Sequence, residues 1–304
     1  MIAIGVDVAI ERTGVRGRWG TDTEMTSTLA YSSSEDKTSI RSSNFTKAVN
    51  DLRDGLNAWE LWGTLGWHDL RQRYRRSTFG PLWLTLSMGI MAAAIGVLYA
   101  EIFGQPIHDY LPFLAVGLIV WGFISTSIID PCYVFILSEG VIRQVRAPLS
   151  VHVYRIVWRN LIVLAHNMVI YVIILVVFGI WPGAPVLLFI PSLLLLSISA
   201  FSTGLLIGLL SARFRDLPPI IANTTQILFL LTPILWRTDQ LSGSRRLLAQ
   251  LNPLYHIVEV MRMPLLGQVP PLSSWISVIV VVALSCAVTF WFYVRFRARI
   301  AYWV

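Results

Sequence analysis

Six apolar runs, at about 82–100, 111–129, 156–178, 186–211, 218–236 and 275–294, set the terms on which this chain can fold. Each is close to the roughly 20 residues that carry a helix across a hydrocarbon layer about 30 Å thick. Hydrocarbon offers no hydrogen bonds, so isolated strands could not satisfy their backbone there and every run is expected to be a helix. Pro182, Pro185 and the Pro218-Pro219 pair fall between runs, where helices end. The expected fold is therefore all-α and polytopic, with six transmembrane helices.

Charge is placed to match. Residues 1–80 hold 11 Lys/Arg and 10 Asp/Glu, whereas the much longer stretch 81–304 holds 13 and 7, so the membrane block opens near Pro81. With 55% apolar and only 13% charged residues, a soluble globule, a disordered chain and a disulfide scaffold are poor fits. Six spans put both termini on one side. Arg71, Arg73, Arg75, Arg76, Arg143, Arg146, Arg155, Arg159, Arg213, Arg215, Arg295, Arg297 and Arg299 share that side, against Arg237, Arg245, Arg246 and Arg262 on the other. The positive-inside rule then predicts cytosolic termini in a plasma-membrane protein.

Residues 1–54 are rich in Ser, Thr, Gly and mixed charge and read as a mobile cytosolic tail, in which Met25 is an alternative start. The stretch 55–78 reads as an amphipathic interface helix. At about 100° per residue, Trp59, Trp62, Gly66, Leu70 and Tyr74 share a stripe opposite Glu60, Thr64, His68, Arg71 and Arg75. Such a helix is expected to lie in the cytosolic lipid interface, with Asp69 and Arg73 pairing at i,i+4. The alternative is an ordinary surface helix packed on protein.

Only Lys37 and Lys47 are lysines, and Asp36 and Thr46 precede them, so the Gly-Lys step of a phosphate-binding P-loop is absent. Cys132 and Cys286 lack the spacing of a metal site or a disulfide framework. His166, the one deep ionisable residue, sits beside Asn167 and reads as a helix–helix hydrogen bond rather than a proton relay. No paired carboxylates or Ser/His/Asp set supports an enzyme. Ala200, Gly204, Gly208 and Ala212 recur every four residues and predict close packing, inside the bundle or between two copies.

Three loops and linings carry functional expectations. The cytosolic segment 138–149 has a short helical pattern around Val141, Ile142 and Val145 that could pass motion from a soluble partner, although charge alone favours a plain solvated loop. The outer loop 237–274 holds two stretches too short to cross, broken at Asn252-Pro253, which read as re-entrant helices forming a gate or a lid. Trp83, Tyr99, Trp121 and Phe229 are candidate sugar-stacking aromatics of a channel, Trp121 and Phe229 being nearest mid-span.

The runs RYRRSTFGPLW (73–83), ARFRDLPPIIANTTQILFLLTPILW (212–236) and LNPLYHIVEVMRMPLLG (251–267) resemble the signature segments of ABC-2-type permeases that export polysaccharides, the O-antigen and teichoic-acid class. The lead-in LGWHDLRQRYRRS resembles actinobacterial members that export lipid-linked galactan. The resemblance covers about residues 55–304. It implies a homodimer working with two copies of a separate ATPase, which alone binds ATP and Mg, so this chain would hold no cofactor, bind no nucleic acid and catalyse nothing itself. It further implies a coupling helix at Glu139, Gly140, Val141, Ile142 and Arg143. Arg71, Arg73, Arg75 and Arg76 would meet the headgroup of a polyprenyl-diphosphate-linked glycan. The outer gate would be formed by 241–251 and 253–266, with Asn252, Pro253, Tyr255, Glu259 and Arg262. The rival readings are a permease for a small lipid or drug, and a membrane-embedded glycan transferase.

Overall fold

The computed structural model describes residues 44–73, 75, 82–145, 147–240 and 243–303. From Lys47 onward the chain forms one compact unit, and no strand occurs among the described residues. Helix α1 covers 44–57 and α2 covers Trp59–Arg73. Then come α3 (Leu82–Ile102), α4 (Ile107–Ile129), a 3-10 turn Asp130–Tyr133, α5 (Val134–Leu137), α6 (Glu139–Gln144) and α7 (Ser150–Phe178). The remainder is α8 (Phe189–Arg213), α9 (Leu217–Leu231), α10 (Ser244–Leu251), α11 (Pro253–Leu265), α12 (Leu272–Phe296) and α13 (Ile300–Trp303).

Five helical segments are long and apolar enough to cross a membrane, beginning at Leu82, Ile107, Ser150, Ala184 and Leu272. The expected fifth span, 218–236, is realised as the 15-residue α9, which at 1.5 Å per residue reaches only about 22 Å. Its stop is chemical. Thr232 precedes Pro233, and the proline ring drives the preceding residue out of the α region, to φ −93°, ψ 136°. The outer stretches appear as α10 and α11, on either side of Asn252. Of the expected gate stretch 241–251, residues 241–242 lie outside the described set.

Helix α4 is the axis of the bundle. Most of it is buried, while α3 and α12 remain largely exposed on their outer faces, as lipid-facing helices must. Small residues set the approach distances. A Cβ on Gly96 would sit 2.3 Å from Leu111 of α4. The Ala200/Gly204/Gly208/Ala212 stripe of α8 is buried within the chain. A Cβ at Gly204 would meet Pro131 at 3.1 Å, and one at Gly208 would meet Val134 at 2.6 Å and the Pro131 carbonyl at 3.1 Å. The stripe therefore serves packing inside the bundle.

Two further sequence expectations change. The stretch 44–54, placed in the mobile tail, is helical, and Asp51 within it is buried. The stripe of α2 packs on protein: Gly66 and Leu70 are buried, Trp62 lies 5.9 Å from Trp158 and 6.1 Å from Tyr154, and a Cβ on Gly66 would come within 3.0 Å of the Arg155 carbonyl. Tyr74 lies outside the described residues.

Gly208→Ala has backbone on one side and two core side chains on the other, so it should destabilise the detergent-solubilised protein by about 1–3 kcal/mol, the usual cost of overpacking. Gly63→Ala meets nothing within 4 Å and should leave thermal unfolding unchanged or slightly raised. A Gly208→Ala protein that unfolds at the parent temperature would contradict this packing.

Candidate functional site: two polar ends of the bundle

At the end where α7 begins and α12 finishes, acidic and basic side chains pair between elements. Asp69 of α2 receives Nε of Arg155 at 2.5 Å and its terminal nitrogen at 2.8 Å. This corrects the expected Asp69–Arg73 pair. A two-pronged guanidinium–carboxylate contact between packed helices outcompetes an exposed i,i+4 pair. Arg159 donates to Asp130, where α4 passes into its 3-10 turn. Asp51, from α1, accepts hydrogen bonds from Leu149 and Ser150 at the start of α7 and from Tyr293 and Arg297 at the end of α12.

Arg71 and Arg75 line one cavity of about 340 Å³ with His68 and Gln72. Arg71 lies in the last turn of α2 and Arg75 in the turn residue beyond it; both are exposed, and neither pairs with a described carboxylate. Arg73 is exposed and does not line that cavity; Arg76 lies outside the described residues. The segment 139–143 forms the exposed α6, closed by an Arg143–Glu139 ion pair of 2.9 Å. Gly140 and Val141 face out, while Ile142 packs against the cluster of Ala48, Phe135 and Tyr293.

The opposite end is built around a non-helical strap of turns and bends, 232–237, that follows α9. Arg262 donates to the Pro233 carbonyl at 2.9 Å, Tyr110 to the Leu235 carbonyl at 2.5 Å, and the Asn252 amide to the Thr232 hydroxyl at 3.1 Å. Arg237 donates to the Asp109 carbonyl at 2.8 Å. Asn252 also caps α11, accepting from the Leu254 N–H at 3.0 Å, and Pro253 takes the first helical position, where its missing N–H costs nothing. Tyr255, Glu259 and Arg262, spaced i, i+4, i+7, fall on one buried face. Arg262 is 2% exposed and pairs with Glu259 at 3.1 Å. Burial pushes its pKa down and Glu259 pulls it back up.

Sequence reasoning missed the ring beneath these cations. The Phe113 centroid lies 3.8 Å from the Arg262 guanidinium carbon and 4.7 Å from that of Arg237, so two arginines share one aromatic ring. The signal available in sequence, an aromatic in α4 and arginines over a hundred residues later, carries no spacing rule.

The four channel aromatics do not converge within this chain. Trp121 and Phe229 meet between α4 and α9 with ring centroids 5.7 Å apart, and Trp121 is buried. Trp83 and Tyr99 lie toward opposite ends of α3, about 24 Å apart along its axis. Tyr99 instead starts a run of rings through Phe103 and Tyr110 to Phe113. His166 uses Nδ1 on the Ile162 carbonyl of its own helix; the interhelical bond is from Thr85 to the His166 carbonyl, at 3.1 Å.

Arg262→Met should leave Glu259 buried without its partner and cost about 3–5 kcal/mol by thermal unfolding, whereas Arg262→Met with Glu259→Gln should recover part of the loss. Equal losses in the single and double variants would contradict a charge-paired core at this end.

The protein is similar over 194 residues to the O-antigen export system permease protein RfbA of Myxococcus xanthus, at 28% identity, covering 62% of this chain and 74% of the relative. Two sequences of that name from Klebsiella pneumoniae are 25% identical over 191 residues, with the same coverage. The ABC-2 type transporter family matches residues 60–266, from α2 through the end of α11. With more than half of its length inside that match, the chain belongs to the ABC-2 type transporter family.

Proposed function

We propose that this chain is the membrane-spanning subunit of an ATP-driven exporter that moves a lipid-linked polysaccharide outward across the plasma membrane, with both termini cytosolic. The substrate class is carried by the likeness to three permeases named for O-antigen export. It works with a separate ATPase, because a chain without a Gly-Lys step in its sequence has no P-loop of its own, and as a homodimer, as the resemblance to polysaccharide-exporting ABC-2 permeases implies. The exposed α6, with Val141 49% accessible and Val145 just beyond its end 55% accessible, is the docking element for that ATPase.

The cavity of His68, Arg71, Gln72 and Arg75 supports a phosphate-bearing lipid head. Guanidinium groups meet phosphate oxygens with two parallel hydrogen bonds, and these two are not already engaged by carboxylates. Their position at and just past the end of α2, ahead of α3 in the chain, suits a headgroup at the cytosolic interface, where basic pockets beside spans take anionic lipids. The strap 232–237 and α10–α11 act as the outer gate in this reading, with Asn252, Tyr255, Glu259 and Arg262 holding it. The lead-in before α3 favours a galactan as the glycan.

The purified chain should hydrolyse no ATP until its ATPase is added, and sustained hydrolysis by the chain alone would sink the assignment. Arg71→Gln with Arg75→Gln should lower surface polysaccharide by at least about tenfold at unchanged protein level, since each lost charge-assisted hydrogen bond is worth about 1.5–3 kcal/mol. Unchanged export by that variant would remove the cavity from the substrate path.

A further inference from the structure

We infer that Asp51 is a positioning residue that fastens the ATPase-docking end of the protein to α7 and α12, so that movement imposed at α6 reaches both spans together. The inference rests on the reading of α6 as the docking element. Its own foundation is the carboxylate. The Asp51 side chain is 1% exposed. One oxygen accepts the Ser150 N–H at 3.1 Å and the Tyr293 hydroxyl at 2.6 Å. The other accepts the Leu149 N–H at 3.1 Å and two Arg297 nitrogens, Nε at 3.1 Å and a terminal nitrogen at 2.9 Å. In return the Ser150 hydroxyl donates to the Asp51 carbonyl at 2.7 Å.

Helix α7 has no side-chain cap from its own neighbourhood, so its first amides are satisfied by a residue 98 and 99 positions earlier. The close approach is reinforced at Gly55, where a Cβ would fall 2.0 Å from the Ser150 hydroxyl. The docking helix is connected to this point directly. None of the described residues between Gln144 and Ser150 is helical, and this short piece joins α6 to α7. Asp51 holds its far end. On the near side, Ile142 of α6 and Leu149 pack on the cluster containing Ala48 of α1, Tyr293 of α12 and Ile300 of α13.

The choice of a charged fastener matters. Apolar contacts tolerate sliding, because one buried surface replaces another at little cost. A buried carboxylate with five donors does not: any separation of α1, α7 or α12 exposes an uncompensated charge to a poorly solvating interior. Three elements brought from positions 51, 150 and 297 are thereby obliged to move as one.

The test uses the complete exporter, this chain with its ATPase, and cells relying on it. Asp51→Asn keeps the shape but removes the charge facing Arg297. Complex assembly and ATP hydrolysis by the purified complex should stay within about twofold of the parent. Surface polysaccharide, read by sugar analysis, should fall about tenfold, inside the range that coupling between sites spans. Polysaccharide within about twofold of the parent would overturn the inference. Should Asp51→Asn fail to accumulate, Tyr293→Phe and Arg297→Lys each remove part of the network and are judged by the same ratio. Val141→Asp on α6 separates the two ideas. If it leaves ATPase assembly intact, the docking reading fails; if it abolishes assembly while Asp51→Asn remains fully coupled, only the role of Asp51 fails.

Discussion

Lipid tails are as apolar as leucine, so in a membrane the greasy faces of helices gain nothing by choosing each other over lipid. Neighbour choice in this protein must come from close backbone approach and from polar bonds that hydrocarbon cannot replace. Both are visible. Gly96, Gly204 and Gly208 let α3, α4, the turn after α4 and α8 approach to distances a side chain would forbid. Between α8 and α12 the Ser202 and Ser285 hydroxyls lie 2.7 Å apart, and Thr289 donates to the Ser202 carbonyl at 2.9 Å. At the two ends, Asp51–Arg297, Asp69–Arg155 and Asp130–Arg159 fix one side, and Arg262–Glu259 with the strapped segment 232–237 fixes the other.

The two ends differ in chemistry, and the difference suits different tasks. The arginine-rich end has its carboxylates drawn between helices, leaving Arg71 and Arg75 uncommitted on an outward cavity. The opposite end keeps its arginines inward, over Phe113 and against backbone carbonyls. The strap at that end is tied by directional bonds at Thr232, Pro233 and Leu235 and packs its Ile234 into the core, so displacing it requires breaking those bonds together.

Much of the fold was legible because periodicity and length are local. Five long apolar helices, the helix α2 ahead of them and the short helices on either side of Asn252 follow from hydropathy, helix pitch and proline placement. Even the shortening of α9 is written in Thr232-Pro233, although a hydropathy window runs straight over it. What could not be read are choices between partners. The i,i+4 rule offers Asp69 the arginine of its own helix, but the better bidentate partner, Arg155, arrives from 86 residues away. Asp51 looked like one more acid in a polar tail, since nothing near it announces Tyr293 and Arg297. The aromatics make the same point: Trp121 and Phe229 meet across α4 and α9, a pairing that no sequence spacing announces.

The role proposed for this chain is to carry a lipid-linked polysaccharide out of the cell. Its most direct test is depletion of the protein in its native host, followed by extraction and sugar analysis of glycolipids on the inner and outer sides of the membrane. A completed lipid-linked glycan should build up inside while its surface form declines. An unchanged glycolipid distribution, or accumulation of an unfinished glycan as expected for a blocked transferase, would contradict export as the function.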